Sequence, residues 1–209
     1  MATKAKGGFL LPLLLVGGAV AYFGVDEVED AVRGALIGEP VVIGVGDEAV
    51  MVADDAASMV RKCTTTRVLR QKRCGEVKVV IMDAARMPHI TRNISPAWSE
   101  GKEHVLTRSG VSRHANYKAA CGGFVKKHVD GSCDEYAFAS TVQGGIGART
   151  EEVPAREQDC QGGTLAAAYR WQGIRAGDDL LVVISNPHRV AVEPYQGQDI
   201  AEDQSTCGS

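Results

Sequence analysis

The most regular pattern of hydrophobic and polar positions begins at Glu76. Val77-Lys78-Val79-Val80-Ile81-Met82 is rich in β-branched residues and predicts a central strand ending at Asp83. Pro88 then opens a helix running to about Trp98, since proline suits a first helical position, and Pro96 limits its length. Gly101 ends that element. His104 to Thr107 predicts a second short strand, closed by a Ser109-Gly110 turn. Ala148 to Val153 predicts a further strand, stopped by Pro154. The strongest helical pattern is Gly163 to Gln172, with Ala166-Ala167-Ala168 and the apolar Leu165, Tyr169 and Trp171. Asp178 to Ile184 predicts a last, buried strand bounded by Gly177 and Asn186-Pro187. No internal repeat is present, and the fold class is α+β.

The chain ahead of Glu76 is organised differently. Lys4 and Lys6 precede an apolar run from Phe9 to Val25, and Ala19-Val20-Ala21 is a small-residue cleavage pattern, so residues 1–25 read as a secretory signal peptide. The alternative is a retained membrane anchor with the rest of the chain outside the cytoplasm, although the run is short for a span and contains Pro12, Gly17 and Gly18. Residues 26–60 are acidic, with nine Asp and Glu against Arg33. They read either as a pro-segment shielding a basic surface or as the first hairpin of the domain, Val41-Val42-Ile43 pairing with Val50-Met51-Val52. The main domain is then 61–209.

Charge and cysteine content sharpen this picture. The whole chain carries −3 at pH 7, but the acids are concentrated in 26–60, leaving 61–209 net positive. Arg61, Lys62, Arg67, Arg70, Lys72 and Arg73 fall in or beside the Cys63 to Cys74 interval with no acid among them. They read equally as a phosphate-contacting patch, where binding would be salt-dependent, or as a solvated face or processing site. A second basic group, including Arg108, Arg113, His114, Lys118 and Lys126, leads into the segment discussed next. Six cysteines agree with an exported, disulfide-bonded chain, and no C-x-x-C or close Cys/His pair supports a zinc site. Sequential pairing gives Cys63–Cys74, Cys121–Cys133 and Cys160–Cys207, one of about 15 possible connectivities.

The stretch Cys133-Asp134-Glu135-Tyr136-Ala137-Phe138-Ala139-Ser140-Thr141-Val142-Gln143-Gly144-Gly145 sets two adjacent carboxylates beside an aromatic run. On a strand the two cannot point the same way, so one would face a ligand while the other anchors the segment. Taken alone, an Asp-Glu pair is more often a solvated face or a helix N-terminus. The pattern C-D-E-Y-x-F-A-S-T-x-x-G-G, however, resembles the signature of the NucA/NucB family of secreted deoxyribonucleases. Glu157-Gln158-Asp159-Cys160-Gln161-Gly162-Gly163, with Val153-Pro154 before it, resembles that family's second signature. Pro88-His89-Ile90 with Asn93, and Val105-Leu106-Thr107-Arg108, are similar to its lead-in, so the resemblance covers about 76–186.

That resemblance implies a small mixed sheet with a ββα-metal (His-Me finger-like) core, formed by the acid-pair segment, Ala148–Val153 and a helix over 159–172. It implies Asp134 as general base with Glu135 supporting it, and Glu157, Gln158 and Asp159 as candidate metal ligands. The cofactor expected is a divalent cation, Mg2+ or Mn2+, which suits hard oxygen ligands. Gln158 departs from the asparagine usual in the family, and Ala137 from a common proline. His89, Arg108, Arg113, Lys118, Gln143, Gly144, Gly145 and Gln161 are the candidate substrate-binding residues. His104, His114, His128 and His188 are scattered and read as surface or structural.

The expectation is therefore a secreted, disulfide-stabilised, metal-dependent endonuclease cutting DNA with little sequence preference. Its partner would be the DNA phosphate backbone, with an inhibitor or immunity protein also to be considered, and with no stable membrane association once the leader is cleaved. The alternatives are an exported, catalytically inactive DNA-binding protein of the same fold and a toxin-type nuclease effector.

Overall fold

The computed structural model describes residues 38–205 and Cys207, so the expected leader lies outside the described residues. The chain is a mixed α+β structure in which one strand organises the rest. β1 (Val41–Ile43), β2 (Val50–Val52), β3 (Arg73–Cys74), β4 (Val77–Asp83), β5 (Val105–Thr107) and β8 (Asp179–Ser185) form a six-stranded sheet. The order is β1-β2-β8-β4-β3, with β5 also paired to β8. On one edge β8 runs parallel to β4, from Lys78 opposite Leu180 to Asp83 opposite Ser185. Its other edge is shared: β5 pairs with Asp179–Leu181 and β2 with Ile184 and Ser185. Leu180 to Ile184 are all fully buried, as an uninterrupted apolar run in a central strand requires.

The described part of the acidic segment supplies β1 and β2, the hairpin that was one of its two sequence readings, with Val41 opposite Val52. Two short helices, α1 (Ala57–Cys63) and α2 (Thr65–Gln71), then lead into β3 and are closed by the Cys63–Cys74 disulfide. α3 spans Pro88–Ser99, so Pro96 sits inside the helix without ending it. Its buried face, Ile90, Ile94, Ala97 and Trp98, outweighs the one backbone hydrogen bond that proline forfeits. Trp98 Nε1 donates to the Tyr136 hydroxyl at 2.9 Å, which donates to the Glu103 carbonyl at 2.8 Å.

A second, two-stranded sheet stands apart: β6 (Gly131–Tyr136) antiparallel to β7 (Arg149–Pro154). Helix α5 (Ala155–Trp171) follows β7 without a loop. The sequence placed its start at 159 or later. Pro154 instead caps the helix from outside, and α5 keeps both glycines in its interior. α3 and α5 both pack against β4 and against the β6–β7 hairpin, joining the two sheets. The remaining helix, α4 (Arg113–Cys121), gave no sequence signal, since RHANYKAAC carries no apolar stripe and buries only Cys121. All three sequential disulfides are present, with Cα–Cα separations of 5.3, 6.0 and 4.7 Å in chain order. Among the described residues no helix is long and apolar enough to cross a membrane.

Candidate active site

β6 alternates its acid pair across two faces. Asp134 is wholly buried beneath the hairpin, where Oδ2 accepts from Asn93 Nδ2 at 2.8 Å and Oδ1 from Gln161 Nε2 at 2.7 Å. Arg149 donates to Asn93 Oδ1 at 2.7 Å, which fixes the amide with its NH2 toward the carboxylate. Glu135 points the other way and lines a cleft of about 970 Å³. Its Oε1 accepts from the Ala139 amide at 3.2 Å, and its Oε2 lies 3.7 Å from Sγ of Cys121, in the disulfide that ties α4 to β6.

α5 supplies a second wall through Gln158, Gln161, Gly162, Leu165 and Tyr169, a spacing of three or four residues that defines one helix face. Asp159, exposed, adds a carboxylate to the cleft. Opposite stand Arg108, whose guanidinium lies 3.7 Å above the Tyr169 ring, and Arg113 and His114 at the start of α4. The loop after β6 closes the cleft. Asn116 Nδ2 holds it by donating to the carbonyls of Ala139 and Thr141 at 3.0 and 3.1 Å, and Ser140 Oγ bonds the Tyr169 hydroxyl at 2.7 Å. The Tyr136–Ala137 peptide in this loop is cis.

Burial and neighbouring carboxylates raise both acids. Asp134 is pushed up to about 7, chiefly by burial, with the amides of Asn93 and Gln161 opposing the rise and Glu157 and Glu151 adding to it. Glu135 is pushed up to about 8 by burial and by the neighbouring Asp134. Both therefore exchange protons near neutrality, the range in which a carboxylate serves as a general base.

The sequence candidates separate accordingly. Arg108, Arg113, Glu135, Gln158, Asp159 and Gln161 meet in the cleft. Asp134 sits one side chain behind it. Glu157 is elsewhere: on α5 it is turned from Gln158 and fully buried, with Oε2 accepting from the amides of His89 and Ile90 at 2.9 and 3.0 Å and Oε1 3.0 Å from His89 Nδ1. It caps the N-terminus of α3, where the helix dipole and free amides favour an anion. His89 is buried with it, its ring edge-on to Tyr195, and does not line the cleft. Lys118 is exposed on α4 outside the cleft. Gln143 accepts from the Thr107 amide at 3.1 Å, tying the loop to β5. A Cβ on Gly144 would collide with the Phe138 carbonyl, and Gly145 holds φ of +102° beside Asn116, so both glycines serve the loop's path. His114, Tyr169 and Asn93 belong to the site or its support. Of these, the sequence could have offered His114 through its basic neighbourhood and Asn93 through the lead-in motif.

As donors for a divalent cation the cleft residues fit in type. Gln158 Oε1 is buried with no hydrogen-bond partner, an orphaned hard oxygen, and the Asp159 carboxylate lines the same cleft. Among the described residues no cluster of three or more His, Cys, Asp or Glu exists, so any such ion would rely on few protein ligands, as Mg2+ commonly does. Comparison with curated proteins gives no match. Residues 88–183 match the family model described as deoxyribonuclease NucA/NucB, and every residue lining the cleft lies inside that range. Over residues 88–183, therefore, this chain is similar to the deoxyribonuclease NucA/NucB family.

Proposed function

We propose that this protein is a secreted, divalent-cation-dependent endonuclease that hydrolyses DNA phosphodiesters with little sequence preference. β6, β7 and α5 serve as its ββα-metal core. The observation that carries the reading is the shared cleft: a carboxylate pushed into the neutral range, an orphaned amide oxygen, and two arginines face one another within the family domain. Gln158 and Asp159 are the residues that would hold Mg2+ or Mn2+, and the ion when bound supplies positive charge against the phosphoryl oxygens.

Arg108 and Arg113 bind and orient the phosphodiester through fixed, charge-assisted donors. Stacking on Tyr169 keeps the Arg108 guanidinium in place. In hydrolysis a water O–H bond breaks as the new P–O bond forms, and Glu135 takes that proton on its carboxylate. The bond to the leaving sugar oxygen breaks, and that oxygen leaves as a hydroxyl on gaining a proton from solvent. Asp134 acts behind Glu135: it holds Gln161 against the cleft and raises the basicity of Glu135 by repulsion. The resemblance implied Asp134 as the base; the base proposed here is Glu135, a reading supported by its place in the cleft lining. Phosphate contact carries no base information, which accounts for the low sequence preference. Three disulfides among the described residues support export to an oxidising compartment.

The test is nicking of supercoiled plasmid by oxidised protein with Mg2+, Mn2+ or EDTA, beside Glu135→Gln and Asp134→Asn. Metal-dependent nicking abolished by Glu135→Gln and only weakened by Asp134→Asn is the expected result. Nicking that survives Glu135→Gln and is lost in Asp134→Asn returns the base to Asp134. Absence of nicking with either metal, while DNA is still retarded in a gel, overturns the nuclease reading.

A further inference from the structure

The disulfide-closed hairpin of α1, α2 and β3 lies outside the matched family segment, and its chemistry is unused by the cleft. Arg61, Lys62, Arg67, Arg70, Lys72 and Arg73 are all exposed on it, and no acid lies between Ala56 and Gly75. Among the described residues none of these six forms an ion pair or donates a side-chain hydrogen bond, in contrast to five arginines elsewhere. Arg86, Arg92, Arg149, Arg156 and Arg189 each meet a carboxylate. Two restraints present the charges on a fixed frame: the Cys63–Cys74 bond, and Thr64, whose side chain caps α2 by accepting from the Arg67 amide at 3.4 Å.

The hairpin also adjoins the helix that walls the cleft. Val79 on β4 receives both neighbours: its amide donates to the Lys72 carbonyl at 2.8 Å, and its carbonyl accepts from Gln172 Nε2 at 2.9 Å. Gln172 follows Arg170, which lines the cleft, and Trp171, a residue 75 % exposed with the Arg170 guanidinium 5.1 Å from its ring centre. Lys72 and Gln172 therefore bond the same backbone unit of β4, which sets the foot of the hairpin beside the C-terminal end of α5.

We propose that this hairpin is an accessory DNA-binding surface that holds the phosphate backbone flanking the bond in the cleft. The inference rests on the nuclease reading for the identity of its partner. Unpaired cations on a rigid frame gain counterion release from each phosphate they neutralise, and this contact is independent of sequence. An exposed aromatic along the track offers a face to an unpaired base. The partner is a polyanion long enough to span from cleft to hairpin, so a mononucleotide diester in the cleft would gain nothing from it.

The experiment compares the full, oxidised chain with Arg67→Gln/Arg70→Gln/Arg73→Gln, after thermal melting has shown that both fold. Retention of long duplex DNA is measured across a salt series, and turnover is measured on plasmid and on a chromogenic mononucleotide phosphodiester. The expected result is DNA binding weakened at least roughly tenfold, with the log–log salt slope reduced by about 2–3. KM on plasmid should rise, and turnover of the small diester should be unchanged. Unaltered retention and salt slope in the variant overturn the inference, as does loss of binding to phosphatidylserine vesicles with DNA binding intact. If unmodified protein cleaves neither substrate with Mg2+ or Mn2+, the nuclease reading has failed. The salt series judges the hairpin without reference to turnover.

Discussion

Glu157 and Glu135 are both almost wholly buried, and what separates them is the donor set aimed at each carboxylate. Glu157 meets two backbone amides at the start of α3 and the ring of His89, so burial is matched by charge-assisted hydrogen bonds. Glu135 receives the Ala139 amide, shares its strand with another acid, and opens on the cleft. The first arrangement spends a buried charge on structure. The second leaves the charge under-compensated, and the proton affinity of the group rises as a result. Residue type and burial do not distinguish them; only partners do.

The sharpest way to break this comparison is to neutralise each glutamate without changing its shape. Glu135→Gln should lower nicking by about 10²–10⁴-fold, the range of a lost general base, while leaving thermal stability equal or higher, because an uncompensated buried acid is gone. A variant that melts several degrees lower and loses activity only through unfolding would place Glu135 with Glu157 as a structural group.

Dependence on pH comes next in size. Asp134 and Glu135 have native values near 7 and 8 against ordinary values of 3.8 and 4.5. Between these limits the native state binds protons that the unfolded chain has released. Their stabilising contribution is therefore complete below about pH 4 and is lost as pH climbs through about 8, by up to about 1.4 kcal/mol per pH unit for each carboxyl. Activity should move oppositely, rising toward pH 8 as Glu135 ionises. Chemical denaturation at a series of pH values, repeated on Glu135→Gln and Asp134→Asn, should show the slope flattening in each variant. A slope unaltered in both would show that the acids are not raised as described.

The smallest effect is expected at Glu157. Glu157→Gln should cost about 2–3 kcal/mol in urea unfolding, the worth of charged hydrogen bonds at a buried helix cap. The turnover of the molecules that remain folded should be nearly that of the unaltered protein. A collapse of turnover at full stability would instead make Glu157 a member of the active site.

Much of the scaffold was legible. β4, β8 and α3 follow from apolar runs bounded by proline, glycine and asparagine, and the acidic segment's Val41–Ile43 and Val50–Val52 form the hairpin that was one of its two readings. The three disulfides join neighbours in sequence, two of them across loops of 11 and 12 residues. Helix α4 was not legible, because it lies on the surface with one buried residue and its amphipathic signal is absent. Nor was the true start of α5. A glycine pair costs helix propensity of about 1 kcal/mol each, and packing against β4 and the hairpin overrides a penalty of that size.

What the sequence determined by itself was the inventory: the class of fold, the acid pair, the amide-rich helix and the basic lead-in. These depend on residue type and local spacing, which a linear chain displays. Which carboxylate lines the cleft and which one caps a helix was decided by tertiary structure. The partners of Glu157 lie 67 and 68 residues upstream, those of Asp134 lie 27 residues downstream and 41 upstream, and no local rule connects them. Strand alternation says that Asp134 and Glu135 must part company, but only the packing of α3 beneath the hairpin and of α4 beside it decides which of them meets the cleft.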